Sequence, residues 1–280
     1  PNERSEVKAM SGSIRSERQG ALALVTLSHP GKFNAMSRAM WRELRQVFTA
    51  IQAEPAVRCV LVRGEGGHFC SGGDISEYPD FRFDEAGLRD FHDNDVWGGL
   101  QAMLDCDVPI VAQIEGNCMG AGVEIACCCD IRVADAASKF GAPIARLGFP
   151  MAPREAALVL REAGALTARE MLLEAAVFST ELMMQRGFLS RVVAAGQCAS
   201  EAAASAARIT ALAPQAARLN KQTLRALNLP LDLDGIAPAV SNSIAKLLSQ
   251  AYAYADSPEH REGISAFLQK RPSNFSTSET

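Results

Sequence analysis

The stretch from 109 to 132, PIVAQIEGNCMGAGVEIACCCDIR, decides the fold. It opens on six mostly apolar residues, Pro109 to Ile114, which read as a buried strand. A small-residue turn follows from Glu115 to Gly122, and Val123 to Cys129 then reads as a short, almost wholly apolar helix. Without side-chain bulk, Gly120-Ala121-Gly122 lets a ligand reach main-chain N–H groups at a helix start. The dipole there favours an oxygen that is, or becomes, negative. Glu124 is the only charge between Glu115 and Asp130. A carboxylate on such a helix is costly unless it is paired or used. Two readings stay open at this point: a packing turn with a paired structural acid, or a binding turn with a working one.

A second Gly-rich turn shifts the balance. Val57 to Val62 reads as another buried strand, and it runs into GEGGHFCSGGD at 64–74. Two strand-to-glycine turns are the arrangement needed to aim two N–H groups at one carbonyl oxygen. Such a pair stabilises an oxyanion or enolate, and losing one donor typically costs ~3–4 kcal/mol of transition-state stabilisation. Competing chemistries lack their motifs. Neither turn ends in GK[ST], no GxGxxG follows the first strand, and no GxSxG elbow occurs. The four histidines show no metal-like spacing and no CxxC pair exists, so no metal is expected.

The chain has 280 residues, 48% of them hydrophobic and 21% charged, which suits one large domain or a domain with an appendage. A net charge of −4 argues against a general nucleic-acid binder. The eight cysteines sit mostly in apolar runs and read as small core residues in a reducing compartment. No apolar run nears the ~20 residues of a membrane span, and the N-terminus shows no secretory pattern, so a cytoplasmic protein is expected.

Outward from the central stretch, a loose arm is expected over 1–12, then a hairpin from Ser13 to Leu27. Ser37 caps a helix running to about Ala53, with Met40, Leu44, Val47, Phe48 and Ile51 at helical spacing. Phe81 to Phe91 is mixed in character and reads as a mobile segment over a site; Phe81, Phe83, Phe91 and Trp97 are candidates for an acyl pocket or for ordinary packing. A helix from Trp97 to Leu104 returns to the central strand. Beyond Asp130 come a strand at Ile131–Ala134, an irregular Pro-rich run over 142–153, helices near 154–163, 167–174 and 180–186, and a strand over 189–193. The alternation predicts an α/β core over 13–199 with parallel strands and crossover helices. A helical region follows over 200–280, with breaks near Pro214, Pro230, Pro238 and Pro258.

Five blocks in order resemble the enoyl-CoA hydratase/isomerase family, the crotonases. They are HPGKFNAMS at 29–37, HFCSGGDI at 68–75, IEGNCMGAGVEIACCCDIRVA at 114–134, KFGAPIARLGF at 139–149 and HREGISAFLQKR at 260–271. The resemblance implies a crotonase (ClpP-like) spiral of ββα units with a helical C-terminal trimerisation region, assembling as a homotrimer or a hexamer. It implies an acyl-CoA substrate whose thioester oxygen accepts from the backbone N–H groups of Gly73 and Ala121. Glu124 matches the first catalytic glutamate, which activates the water added to a 2-enoyl-CoA. Lys32 and Lys270 match best as contacts for the coenzyme A phosphates, and no cofactor beyond that substrate-borne coenzyme A is implied.

The second glutamate of the family falls at Ile144, which moves no protons. Hydration then relies on Glu124 alone or with a neighbour such as Glu155 or Asp74. Other outcomes are another reaction of the same enolate (isomerisation, retro-aldol cleavage, decarboxylation) or a non-catalytic acyl-CoA binder. Two more positions depart from the family: Ser76 replaces a lysine, and Ala251 an aromatic, beside Tyr252 and Tyr254. Asp74 reads as a turn cap and Glu115 as a strand-end acid, while Arg146 and Arg154 are candidates for reading a polar acyl group. Some relatives bind RNA through basic helices. Here Arg208, Arg218, Lys221 and Arg225 recur at near-helical spacing, though a solvated or inter-subunit face explains them better.

Overall fold

The computed structural model describes residues 11–227 and 257–275. The arm expected over 1–12 lies outside them except for Ser11 and Gly12, as do Pro230, Pro238, Ala251, Tyr252 and Tyr254. The hairpin expected first is β1 (Ser13–Gln19) against β2 (Leu22–Ser28), antiparallel. From β2 the pairing turns parallel through β3 (Cys59–Gly64), β4 (Ile110–Ile114), β6 (Ile131–Asp135) and β9 (Arg191–Val193). A second sheet holds three-residue strands: β5 (Asn117–Met119), β7 (Lys139–Gly141) and β8 (Val177–Ser179). After β4 and again after β6 the chain lays a short strand in the small sheet and then a helix, while after β2 and β3 an isolated bridge (Met36 with Gly73, Cys70 with Cys118) stands before the helix. That is the spiral of ββα units.

Both faces of β2, β3 and β4 are covered, which is why these strands read as continuous apolar runs. Val25, Val60, Val62, Ile110 and Ala112 face the main core with helix α1 (Arg38–Gln52), whose buried side chains are Met40, Trp41, Leu44, Phe48 and Ile51. Ser37 caps that helix as expected, accepting from the Met40 N–H at 3.2 Å. Leu24, Cys59, Leu61, Val111 and Val133 face the other way, against Cys198, Ala202 and Ala206. Those three belong to the helix Cys198–Thr210, which begins where the helical region was expected.

The next helix, Pro214–Leu227, is held by the side chains that suggested an RNA-binding or solvated face. Arg218 donates to the carbonyls of Glu54 and Val57, Lys221 pairs with Asp130 at 2.7 Å, and Arg225 pairs with Asp107 at 2.6 Å. They dock the helix onto the body of the chain. All eight cysteines are buried free thiols, as their apolar settings predict. No described helix is long and apolar enough to cross a membrane.

Candidate active site

The two Gly-rich turns lie side by side. Cys70 pairs with Cys118 as a parallel bridge, the Cys70 N–H donating to Asn117 O and the Met119 N–H to Cys70 O, both at 2.9 Å. From that shared register each turn runs two residues to a glycine of positive φ, Gly72 at 117° and Gly120 at 46°. These glycines nearly touch, since a Cβ on Gly120 would lie 3.5 Å from the Gly72 Cα. A positive φ at such a position is strained for any other residue type. The next residue in each turn is the expected donor, Gly73 or Ala121.

Gly73 is extended against Met36, with the Met36 N–H donating to Gly72 O and the Asp74 N–H to Met36 O, both at 2.8 Å. Alternate peptide groups of an extended chain point to opposite sides, so the Gly73 N–H faces away from Met36. Ala121 is the first residue of a helix, Ala121–Cys127, where N–H groups lack intrahelical acceptors. The helix starts two residues earlier than its sequence pattern suggests, because Gly120 turns the chain directly into it. Neither amide has an acceptor among the described residues, and both residues line one cavity of about 260 Å³.

Glu124 lies one turn into the same helix, 9% exposed and on the wall of that cavity. Its carboxyl makes no hydrogen bond within the described residues. Burial pushes its pKa from 4.5 up to about 8, and the nearby Glu155 carboxylate adds to the rise. A group poised there can take or give a proton near neutral pH. Ile144 also lines the cavity, with Pro143, so the position of the family's second acid is an apolar wall.

The polar groups near that wall come from the segment 75–96. A 3₁₀ helix, Ile75–Asp80, is capped by Asp74, whose carboxylate accepts from the Ser76 N–H at 3.2 Å and hydroxyl at 2.7 Å. Tyr78, from this helix, brings its hydroxyl against Gly73, and burial raises its pKa to about 12. A π-helical turn, Phe91–Val96, contributes Phe91, His92 and Val96 to the cavity. His92 Nδ1 lies 3.0 Å from Oε1 of Glu155, a carboxylate 2% exposed.

Arg38 staples this segment to α1. Its amide donates to Glu77 at 2.8 Å and its Nε to buried Asp95 at 2.5 Å, and its guanidinium lies over Phe81 and Phe91. The segment that reads as mobile is thus tied at several points, Phe91 lines the cavity, and Phe83 is 89% exposed. His92 and Tyr78 had no sequence signal beyond aromatic and polar residues in an aperiodic stretch.

The remaining expected residues stand outside the cavity walls of this chain. Lys32 Nζ is 2.7 Å from Asp74 and 2.8 Å from the Ser76 hydroxyl, so its charge is already matched. Lys270 is exposed, beyond the helix Pro258–Leu268, with φ 55°. Gln113 donates to Glu115 at 2.7 Å, Arg146 donates to the Ala175 carbonyl at 3.2 Å, and Arg154 lies over the Trp97 ring at 5.8 Å. Among the described residues no cluster of His, Cys, Asp or Glu could hold a metal.

A two-amide cradle beside a buried carboxyl, on a spiral of ββα units, defines a crotonase-fold protein. The family model for enoyl-CoA hydratase/isomerase matches residues 17–278. A probable enoyl-CoA hydratase of Mycobacterium bovis is 29% identical over 264 residues, covering 94% of this chain and 97% of its own. A crotonyl-CoA hydratase of Syntrophomonas wolfei is 26% identical with the same coverage, 94% and 97%. Among solved structures, an enoyl-CoA hydratase/carnithine racemase from Magnetospirillum magneticum superposes with a TM-score of 0.86 at 35% identity, covering 95% of this chain and 96% of that one. The chain belongs to the enoyl-CoA hydratase/isomerase family.

Proposed function

We propose that this protein adds water to the double bond of a 2-enoyl-CoA thioester, with Glu124 taking a proton from that water and returning it to the α-carbon. The observation that carries this reading is the equal register of the two turns, which puts the amides of Gly73 and Ala121 on one cavity with Glu124 a helical turn away. The thioester oxygen accepts from the two amides, which draws electrons from the conjugated double bond and makes the β-carbon electrophilic. Ionised Glu124 takes a proton from water as its oxygen bonds to the β-carbon, and the negative charge passes to the thioester oxygen as an enolate. The carboxyl so formed returns the proton to the α-carbon as the carbonyl re-forms. Atoms balance as water plus enoyl thioester to 3-hydroxyacyl thioester, and Glu124 ends ionised as it began. His92, its Nδ1 held on Glu155, is the second polar group on the cavity able to hold that water.

Coenzyme A enters as part of the substrate, and we assign no other cofactor. Lys32 and Lys270 remain our candidates for its phosphates in a homotrimer or hexamer, Lys270 reaching a neighbouring subunit's ligand. Ile144 favours one second reading, a double-bond shift, which needs a single group to carry a proton between carbons. Crotonyl-CoA incubated in heavy-oxygen water separates them: hydration adds the label, a shifted double bond adds none. Glu124→Gln is expected to fold normally and lose about 10²–10⁴-fold in kcat. Wild-type turnover by that variant would refute the mechanism.

A further inference from the structure

We infer that Arg82 selects acyl chains that end in a carboxylate, so that the substrate is the CoA thioester of a short dicarboxylic acid. This deepens the reading above and rests on it. Arg82 follows the 3₁₀ helix that carries Tyr78 and shares one wall of the cavity with it. Its guanidinium lies 3.7 Å from the centre of the Phe149 ring and 4.7 Å from that of Tyr78. Arg38, Arg132 and Arg186 also lie over aromatic rings, and each of them meets a carboxylate: Asp95 at 2.5 Å, Glu162 at 3.5 Å and Glu170 at 2.9 Å. Arg82, among the described residues, has no carboxylate within ion-pair distance and no side-chain hydrogen bond.

The ring faces offset part of the cation's charge, but they leave the five N–H donors of the guanidinium unmatched. A planar fork of donors, half-buried and without an acceptor among the described residues, is shaped for a carboxylate from a ligand. Burial pulls the guanidinium below its ordinary pKa, opposed by Tyr78.

Position fixes which part of the substrate Arg82 meets. The Tyr78 hydroxyl sits against Gly73 while the face of its ring meets Arg82. Arg82 therefore stands one tyrosine ring away from a thioester oxygen held at Gly73. The other walls, Ile75, Leu147, Phe149 and Met151, are apolar. A cavity of about 260 Å³ lies just below the ~300 Å³ at which ordinary ligand pockets begin, so the chain it takes is short.

Titration calorimetry with two unreactive thioesters of similar length, glutaryl-CoA and butyryl-CoA, tests this without relying on turnover. The wild-type protein is expected to bind glutaryl-CoA about 10–100-fold more tightly, the range for hydrogen bonds to a charged group. Arg82→Leu should erase that preference by weakening glutaryl-CoA binding far more than butyryl-CoA binding, and Arg82→Lys should keep part of it. Equal affinity for the two in the wild type overturns the inference, and that comparison holds whether or not a variant folds. An equal loss for both thioesters in Arg82→Leu also overturns it, since Arg82 would then be reading the phosphates they share. If neither thioester binds, the reading of the cavity as a thioester site fails and the inference falls with it.

Discussion

Glu124→Gln tests the site through stability as well as rate. The wild-type carboxyl has a pKa near 8 in the folded chain against 4.5 as an ordinary glutamate. Between those values the folded state keeps a proton that the unfolded state releases. Stability linked to this group is therefore whole below pH 4.5 and is lost as pH rises towards 8, up to ~5 kcal/mol at ~1.4 kcal/mol per pH unit. Glutamine has no proton to lose, so the pH dependence of the difference reports Glu124 together with its charge coupling to Glu155. Between pH 5.5 and 8.5 the wild type should lose ~3 kcal/mol relative to the variant, by the same linkage. Urea denaturation at matched protein concentration, repeated at several pH values, measures the difference. If ionised Glu124 is the base, as proposed, wild-type kcat/KM for hydration should rise with pH, pass its midpoint near 8 and level off above it. A pH-independent stability difference, or a rate that falls over this range, would refute the burial argument.

Gly122→Ala should destabilise the fold by about 1–3 kcal/mol, because its Cβ would lie 2.7 Å from the Cys70 carbonyl oxygen between the two turns; thermal melts read it, and an unchanged midpoint would mean the turns are not packed as described. Asp95→Ala removes the buried carboxylate that accepts from Arg38 and Arg42, and should cost about 1–3 kcal/mol and lower activity by loosening the His92 segment. The eight thiols should resist a thiol reagent in the native state and all react in denaturant, since burial raises several, Cys59 and Cys70 among them, to about 12. Rapid native labelling of even one would contradict its burial.

What the sequence reveals and conceals follows from the range of the forces involved. The long strands, α1 with its Ser37 cap and the two glycine turns are local patterns, so they could be read residue by residue. Strands β5, β7 and β8 are three residues each, too short to display alternation, and exist because a neighbouring turn pairs with them. The segment 75–96 carries no sustained period. Arg38, 52 residues from Asp90 and 57 from Asp95, holds it over the cavity through contacts that no local window contains. Tyr78, Arg82 and His92 reach the site by that route and were missed, whereas Glu124 announced itself as a lone charge on an apolar helix. The basic residues of Pro214–Leu227 show the opposite error. Their spacing suggested an RNA-binding, solvated or inter-subunit face, but the carbonyls and carboxylates they meet within this chain lie about ninety or more positions away.

The cradle and the acid tolerate sequence change differently. In the proposed mechanism Gly73 and Ala121 would act through main-chain N–H groups alone, so that role needs only the turn geometry that Gly72 and Gly120 provide. A proton carrier needs a particular side chain, and at 144 that side chain is isoleucine. Burial holds Glu124 near 8, where one carboxyl can serve first as base and then as acid. Ile144→Glu decides whether that suffices. If Glu124 already makes both proton transfers, a second carboxyl supplies no missing step, and its charge raises the Glu124 pKa further. Hydration by Ile144→Glu should then stay within about tenfold of wild type, with its pH profile shifted upward. A gain approaching the ~10²–10⁴-fold worth of a general acid would instead show that proton delivery to the α-carbon limits the wild-type protein, and the single-carboxyl route would be wrong.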